Sequence, residues 1–145
     1  MTNFVETLKE LLIENNLMQK DFAAKIEIKP STITQYLSGH QLPTLEIAVK
    51  IADYFHCTMD YLFGEEDIAK VKVFRKCPPF NTRFRFLMKH FKKTQVELNK
   101  TAHISKSAIY YWLSGKRVPA MDSIIKLAKF FNCSMDFVIG RVDFD

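Results

Sequence analysis

The chain repeats itself. Residues 4–64 align without a gap on residues 80–140 when the sequence is shifted by 76 positions. Both copies keep a Leu-Ser-Gly run, a proline four residues after its glycine, and a Met-Asp pair near the end. Chance similarity does not preserve all three at one offset, and a repeat of this length constrains the fold before any single residue does. We therefore predict two homologous domains, 1–67 and 80–145, joined by a linker over 68–79.

Each copy has the hydrophobic pattern of a short helical bundle. Phe4, Leu8 and Leu11 recur at the spacing of one helix face, and Phe80 and Phe84 begin the same pattern in the second copy. Two further helices are predicted to start near Gln19 and Pro30 in the first copy, and near Gln95 and Lys106 in the second. Two more are predicted over 44–55 and 59–63 of the first copy. The predicted fold class is all-α, with five helices in each domain.

The predicted linker ends in Pro78-Pro79, which is incompatible with a continuing helix. Residues 70–74 alternate between polar and apolar side chains. That alternation allows a short strand, which would pair with residues 142–144 near the end of the chain. An extended linker is the interpretation that we favour, and the strand stays open as the alternative.

Composition excludes several classes of protein. Hydrophobic residues make up 48% of the chain and charged residues 26%, as in soluble globular proteins. No apolar run approaches the roughly 18 residues of a membrane span, and the first 16 residues carry three glutamates, unlike a signal peptide. Three cysteines without a Cys-x-x-Cys pair indicate reduced thiols, so we expect a cytoplasmic protein.

Chemistry-bearing residues form no catalytic or metal-binding pattern. The four histidines do not recur at matched positions and lack metal-ligand spacing with any cysteine. No Ser-His-Asp order, glycine-rich phosphate loop or carboxylate pair is present. We predict a protein that is not an enzyme and that needs no cofactor and no metal.

Two segments in each copy resemble the Cro/repressor-type helix-turn-helix family, also called the Xre family. The first copy has QKDFAAKIEIKPSTITQYLSG followed by TMDYLFG, and the second has QVELNKTAHISKSAIYYWLSG followed by SMDFVIG. The resemblance covers about 120 of the 145 residues. It implies two lambda-repressor-like domains that bind double-stranded DNA, each with its third helix in the major groove and its second helix across the backbone.

The family pattern, carried over position by position, implies which side chains contact DNA. Gln35 suits adenine and Lys106 suits guanine, whereas Gln19 and Gln95 would lie at phosphates. The implied base-reading residues are Pro30, Ser31, Thr34, Gln35, Lys106, Ser107, Tyr110 and Tyr111. The implied backbone contacts are Gln19, Lys20, Lys29, His40, Gln95, Ser105, Lys116 and Arg117. We expect Trp112, in contrast, to belong to the core.

Three positions depart from the family pattern. The family has glycine in the turn between the second and third helices, where this chain has Glu27 and His103, which leaves a different turn shape open. Asn99 stands where the family has a small residue, and it adds bulk and polarity between the helices. Its counterpart in the first copy is Ala23, so the first copy matches more closely here.

Charge separates the two copies. Residues 1–67 hold 5 basic and 11 acidic side chains, and residues 68–145 hold 16 and 5. Lysine and arginine supply most non-specific DNA affinity, so the second copy should be the electrostatic anchor. We predict a transcriptional regulator, a repressor that occupies an operator. The alternatives are a protein-interaction adaptor or an antitoxin-like component, with a homodimer or a protein partner held through the acidic first domain.

Overall fold

The computed structural model describes residues 3–66 and 73–143. These residues form ten helices and no strand, which confirms the predicted all-α class. The chain divides into two compact units, Met1–Lys72 and Val73–Asp145, referred to below as unit 1 and unit 2. No helix within the described residues is long and apolar enough to cross a membrane.

The described residues of unit 1, 3–66, form five helices around one small core. They are α1 (Phe4–Glu14), α2 (Gln19–Lys25), α3 (Pro30–Leu37), α4 (Leu45–Phe55) and α5 (Met59–Leu62). The predicted starts at Gln19 and Pro30 are confirmed. Phe4 lies at the centre of the core, stacked on Phe63 with ring centroids 5.0 Å apart and edge-on to Tyr36 at 6.1 Å. These aromatic rings bury a large area in a domain that has few core positions.

Unit 2 repeats the arrangement. Its helices are α6 (Phe80–His90), α7 (Gln95–Ala102), α8 (Lys106–Ser114), α9 (Met121–Phe131) and α10 (Met135–Ile139). Trp112 is 4% exposed and meets the rings of Phe80 and Phe84 edge-on, at 6.2 and 5.7 Å. The prediction that this tryptophan belongs to the core is confirmed.

Short polar side chains cap several of these helices, because the first amides of a helix have no partner within it. The Thr44 hydroxyl accepts from the amide of Ile47 at 3.3 Å at the start of α4. At the start of α7, Thr94 and Glu97 form a reciprocal capping box. Side-chain hydroxyls also start the equivalent short helices α5 and α10.

The segment 73–79 packs on the rest of unit 2. The amide of Arg75 donates to the carbonyl of Arg141 at 2.9 Å, and the Arg141 guanidinium lies 3.7 Å from the centroid of the Phe74 ring. Arg141 is fully buried and pairs with the equally buried Asp136 at 2.9 Å. Residues 73–79 form no strand, and the rest of the alternative strand, residues 70–72, lies outside the described residues, as does 144 in its predicted partner.

Candidate nucleic-acid interface

The turn between the second and third helices keeps a left-handed residue in both units although neither has glycine there. Glu27 has φ 58° and His103 has φ 56°. A left-handed conformation costs an ordinary residue roughly 1–2 kcal/mol, which the packing of the flanking helices must offset. The substitutions at the turn therefore leave this feature of the backbone unchanged.

The small-residue position next to the turn differs between the units. Ala23 is fully buried where α2 faces α3 in unit 1. In unit 2, the half-buried Asn99 donates through its side-chain amide to the carbonyl of Ile104 at 2.8 Å. Because this carbonyl follows the turn, the asparagine fastens α7 to the segment that leads into α8. The added polarity that the sequence suggested thus has a hydrogen-bond partner.

One face of each third helix is anchored in the core, and the opposite face is exposed. Ile33 and Tyr36 of α3 are 0% and 2% exposed, and Ile109 and Trp112 of α8 are 2% and 4% exposed. A helix fixed on one side in this way holds its outer side chains in a definite direction, which major-groove binding requires. Burial raises the pKa of Tyr36, because an ionised phenol would lose hydration in the core.

In unit 1, all the predicted contact residues are exposed. Pro30, Ser31, Thr34 and Gln35 lie on α3, Gln19 and Lys20 on α2, and Lys29 and His40 just outside α3. The structure brings Thr34 and Gln19 together, since the threonine hydroxyl donates to Oε1 of Gln19 at 3.2 Å. His40 is held differently, by a short hydrogen bond between its Nδ1 and the Ser38 hydroxyl. The start of α2 and the outer face of α3 therefore form one continuous polar surface.

In unit 2, cations and tyrosines pair at the end of α8. The Arg117 guanidinium lies 4.5 Å from the centre of the Tyr111 ring, and the Lys116 ammonium lies 5.7 Å from that of Tyr110. Tyr110 is 57% exposed, whereas Tyr111 is half-buried. Cation–π contact restrains both cations at the surface. Tyr111 thus has less free ring face for a base than the resemblance implies.

The other predicted residues of unit 2 are also exposed. Lys106 and Ser107 open α8, and Gln95 opens α7. Ser105 caps α8, with its hydroxyl oxygen accepting from the amide of Ala108 at 3.1 Å. Since the cap uses an oxygen lone pair, the hydroxyl hydrogen can still be donated to a phosphate.

Sequence reasoning missed a set of cations beside Gln95. Arg85, Lys89 and Lys93 line a surface cleft of about 410 Å³ that also includes Gln95. Arg85 is oriented by a hydrogen bond from its guanidinium to the carbonyl of Leu113 at 2.8 Å, at the end of α8. The sequence places these residues in a basic run, RFRFLMKHFKK, which we interpreted as a helix with a solvated face. The repeat could have revealed the cleft, because the same offset that aligns Gln95 with Gln19 also aligns these cations with their counterparts in the first copy.

Within the described residues, no group of three histidine, cysteine or carboxylate side chains is placed to hold a metal ion. Cys57 is buried, and Cys77 and Cys133 are half-buried. The surface features of both units are instead amides, hydroxyls and cations beside an exposed helix face. Together these features define two tandem helix-turn-helix domains of the type that binds nucleic acid.

Comparison with known proteins agrees with this class. A model of a helix-turn-helix family matches residues 8–62 and again residues 84–138, and the chain therefore belongs to this family, of Xre/Cro type, in two tandem copies. The match supports DNA binding in general. Among solved structures, the crystal structure of a transcriptional regulator from Listeria innocua is 23% identical, covering 69% of this chain and 86% of that chain, with a TM-score of 0.43. No curated protein matches the chain.

Proposed function

We propose that the protein binds double-stranded DNA sequence-specifically and represses transcription by occupying an operator. The observation that carries the proposal is the pair of third helices, each anchored in a core on one face and polar on the other. In unit 1 the exposed face offers Thr34 and Gln35, and in unit 2 it offers Lys106 and Tyr110. Side chains of these types can read base edges in the major groove.

The two units would read different half-sites. Gln35 has both an amide donor and a carbonyl acceptor for adenine, whereas the equivalent Tyr111 lies under Arg117. Lys106, which donates only, occupies the place of Pro30. Since the reading faces differ at these positions, one chain should prefer an asymmetric site of two unlike halves, about 34 Å apart when they are one turn of DNA apart.

The units would also contribute unequally to affinity. Residues 1–72 of unit 1 carry a net charge of −4 and residues 73–145 of unit 2 carry +9, so most counterion release should come from unit 2. In unit 1, the exposed Lys20, Lys25 and Lys29 lie on or beside α2 and α3, while Glu6, Glu10 and Glu14 lie on α1. Unit 1 can therefore add base reading although its net charge is acidic.

Selection of bound duplexes from a random DNA library by the full chain tests the proposal. We expect one enriched site with two unlike halves, protected across two successive major grooves in a footprint. Gln35→Ala should relax specificity in one half and Lys106→Ala in the other, each costing about 1–3 kcal/mol for the preferred base. Lys50→Ala, on the exposed part of α4, serves as the control. The absence of any enriched sequence would refute specific DNA binding.

The acidic charge of unit 1 favours a second candidate function, a protein-interaction adaptor, of which an antitoxin-like component is one form. In this case unit 1 would hold a protein, or a second copy of the chain, instead of a half-site. The same selection separates the two functions. An adaptor would protect one groove through unit 2 or none, and Gln35→Ala would leave the enriched sequence unchanged.

A further inference from the structure

The same cleft occurs in both units. In unit 2 it lies between the end of α6, the start of α7 and the end of α8, with a volume of about 410 Å³, and in unit 1 it lies between the equivalent parts of α1, α2 and α3, with about 540 Å³. The two clefts share equivalent glutamines, Gln95 and Gln19, and equivalent leucines, Leu113 and Leu37. The duplication therefore copied the cleft, and each copy can be compared residue by residue with the other.

The chemistry of the two copies differs at the wall that faces solvent. Lys89 and Lys93 in unit 2 take the places of Ile13 and Leu17 in unit 1. Ile13 is 74% exposed, so it covers the mouth of its cleft with apolar surface. Lys9 and Lys20 also line the unit 1 cleft, but its apolar surface gives an anion no partner at the places where unit 2 has lysines. The unit 2 cleft presents charge at the same place.

The cations of the unit 2 cleft are not all equivalent. Arg85 is already oriented by the carbonyl of Leu113, and Lys93 lies 3.9 Å from the carboxylate of Glu97 and 5.6 Å from the ring of Phe130. Lys89 is exposed and projects from the last turn of α6. The three cations and the carboxylate of Glu97 together give the cleft a net charge of +2. The cleft lies where Gln95 begins α7. A diester phosphate suits this combination of fixed guanidinium, ammonium and amide groups.

We propose that this cleft is a DNA phosphate site, in which Lys89 and Arg85 hold a backbone phosphate beside the one at Gln95, and that the unit 1 cleft, which has Ile13 in place of Lys89, lacks this pair of cations. The inference rests on the proposed DNA binding and adds a contact from α6, a helix outside the helix-turn-helix segment. It explains where part of the positive charge of unit 2 acts. In unit 2, α6 would therefore contact the flanking backbone together with α7 and α8.

The test is the salt dependence of binding by the full chain to the selected duplex, measured by fluorescence anisotropy between 50 and 200 mM salt. Each phosphate contact contributes about 0.9 to the slope of log K against log salt. Arg85→Gln with Lys89→Gln should therefore lower the slope by about 0.9, because the two cations hold one phosphate, and Lys89→Gln alone should lower it by up to this amount. For a loss of about 0.9 in slope, the difference in affinity from the wild type should shrink about 3.5-fold as the salt rises over this range.

The matched control is Lys126→Gln, which removes the same charge from an exposed position of α9 in the same unit. We expect no change in slope for this variant, and a wild-type slope for Lys89→Arg, which keeps the cation. Circular dichroism verifies that each variant is folded. Equal changes for Lys89→Gln and Lys126→Gln would overturn the proposal, because they indicate diffuse attraction in place of a site. An unchanged slope for Lys89→Gln, with specific DNA binding intact, would also overturn the proposed phosphate site. The absence of an enriched sequence would instead refute the proposed function itself.

Discussion

The buried ion pair of unit 2 allows a direct test of how much a buried charge depends on its partner. Asp136 and Arg141 are both 0% exposed, and their side chains lie 2.9 Å apart. Asp136→Ala would leave a guanidinium buried against Phe74 without its carboxylate. Breaking one partner of such a pair costs about 3–5 kcal/mol, because the remaining charge can neither rehydrate nor neutralise. A unit of this size has a total stability of only about 4–10 kcal/mol.

The expected result is a large loss of stability that is confined to unit 2. A loss of about 3–5 kcal/mol lowers the melting temperature of a domain this small by about 12 °C or more. The chain has a single tryptophan, Trp112, which lies in the core of unit 2, so its fluorescence reports on that unit alone. Urea unfolding followed by this fluorescence, with circular dichroism for the whole chain, measures the change.

The double variant Asp136→Leu with Arg141→Met is the control. It removes both charges and keeps apolar volume, so it should cost much less than Asp136→Ala alone, since buried pairs gain little over apolar replacements. A loss below about 1 kcal/mol for Asp136→Ala would contradict the reasoning, because it would mean that water reaches the guanidinium. Equal losses for the single and double variants would contradict it as well.

Four further predictions concern single residues. Glu97→Gln keeps the capping box and removes the carboxylate from the basic cleft. DNA affinity at low salt should therefore rise about 2- to 5-fold in an anisotropy titration. Unchanged affinity would place the cleft away from DNA. Tyr111→Phe should keep the contact with Arg117 and the wild-type salt slope, whereas Tyr111→Leu should weaken binding; equal binding by both would exclude a positioning role. His103→Gly should raise the stability of unit 2 by about 0.5–1 kcal/mol, measured by Trp112 fluorescence, because glycine takes the left-handed conformation without strain. Burial raises the pKa of Tyr36, so its stabilising contribution is complete below the unfolded value of about 10 and is lost as the pH rises through the folded value. Tyr36→Phe should therefore reduce the alkaline loss of helix in unit 1, and an unchanged alkaline profile would show that another group causes it.

The sequence by itself was enough for the architecture. The repeat at one offset defined two similar domains, and the helix starts at Gln19, Pro30, Gln95 and Lys106 agree with the structure. These features depend on hydrophobic periodicity and on capping, which involve residues within a few positions of one another. Local signals of this kind can be read directly from the order of the residues. The position of Trp112 in the core followed from the same pattern.

The tertiary structure decided what joins residues far apart in the chain. It showed that the basic run of α6 lies beside Gln95 and that its equivalent in unit 1 is apolar at Ile13. It also showed that Glu27 and His103 adopt the left-handed turn that the family builds with glycine. The composition of a segment gives its charge but not the surface of the folded unit on which that charge lies. Packing of the whole unit determines that surface, because the folded core fixes which helix ends lie together. The same packing offsets the free-energy cost of a strained backbone conformation.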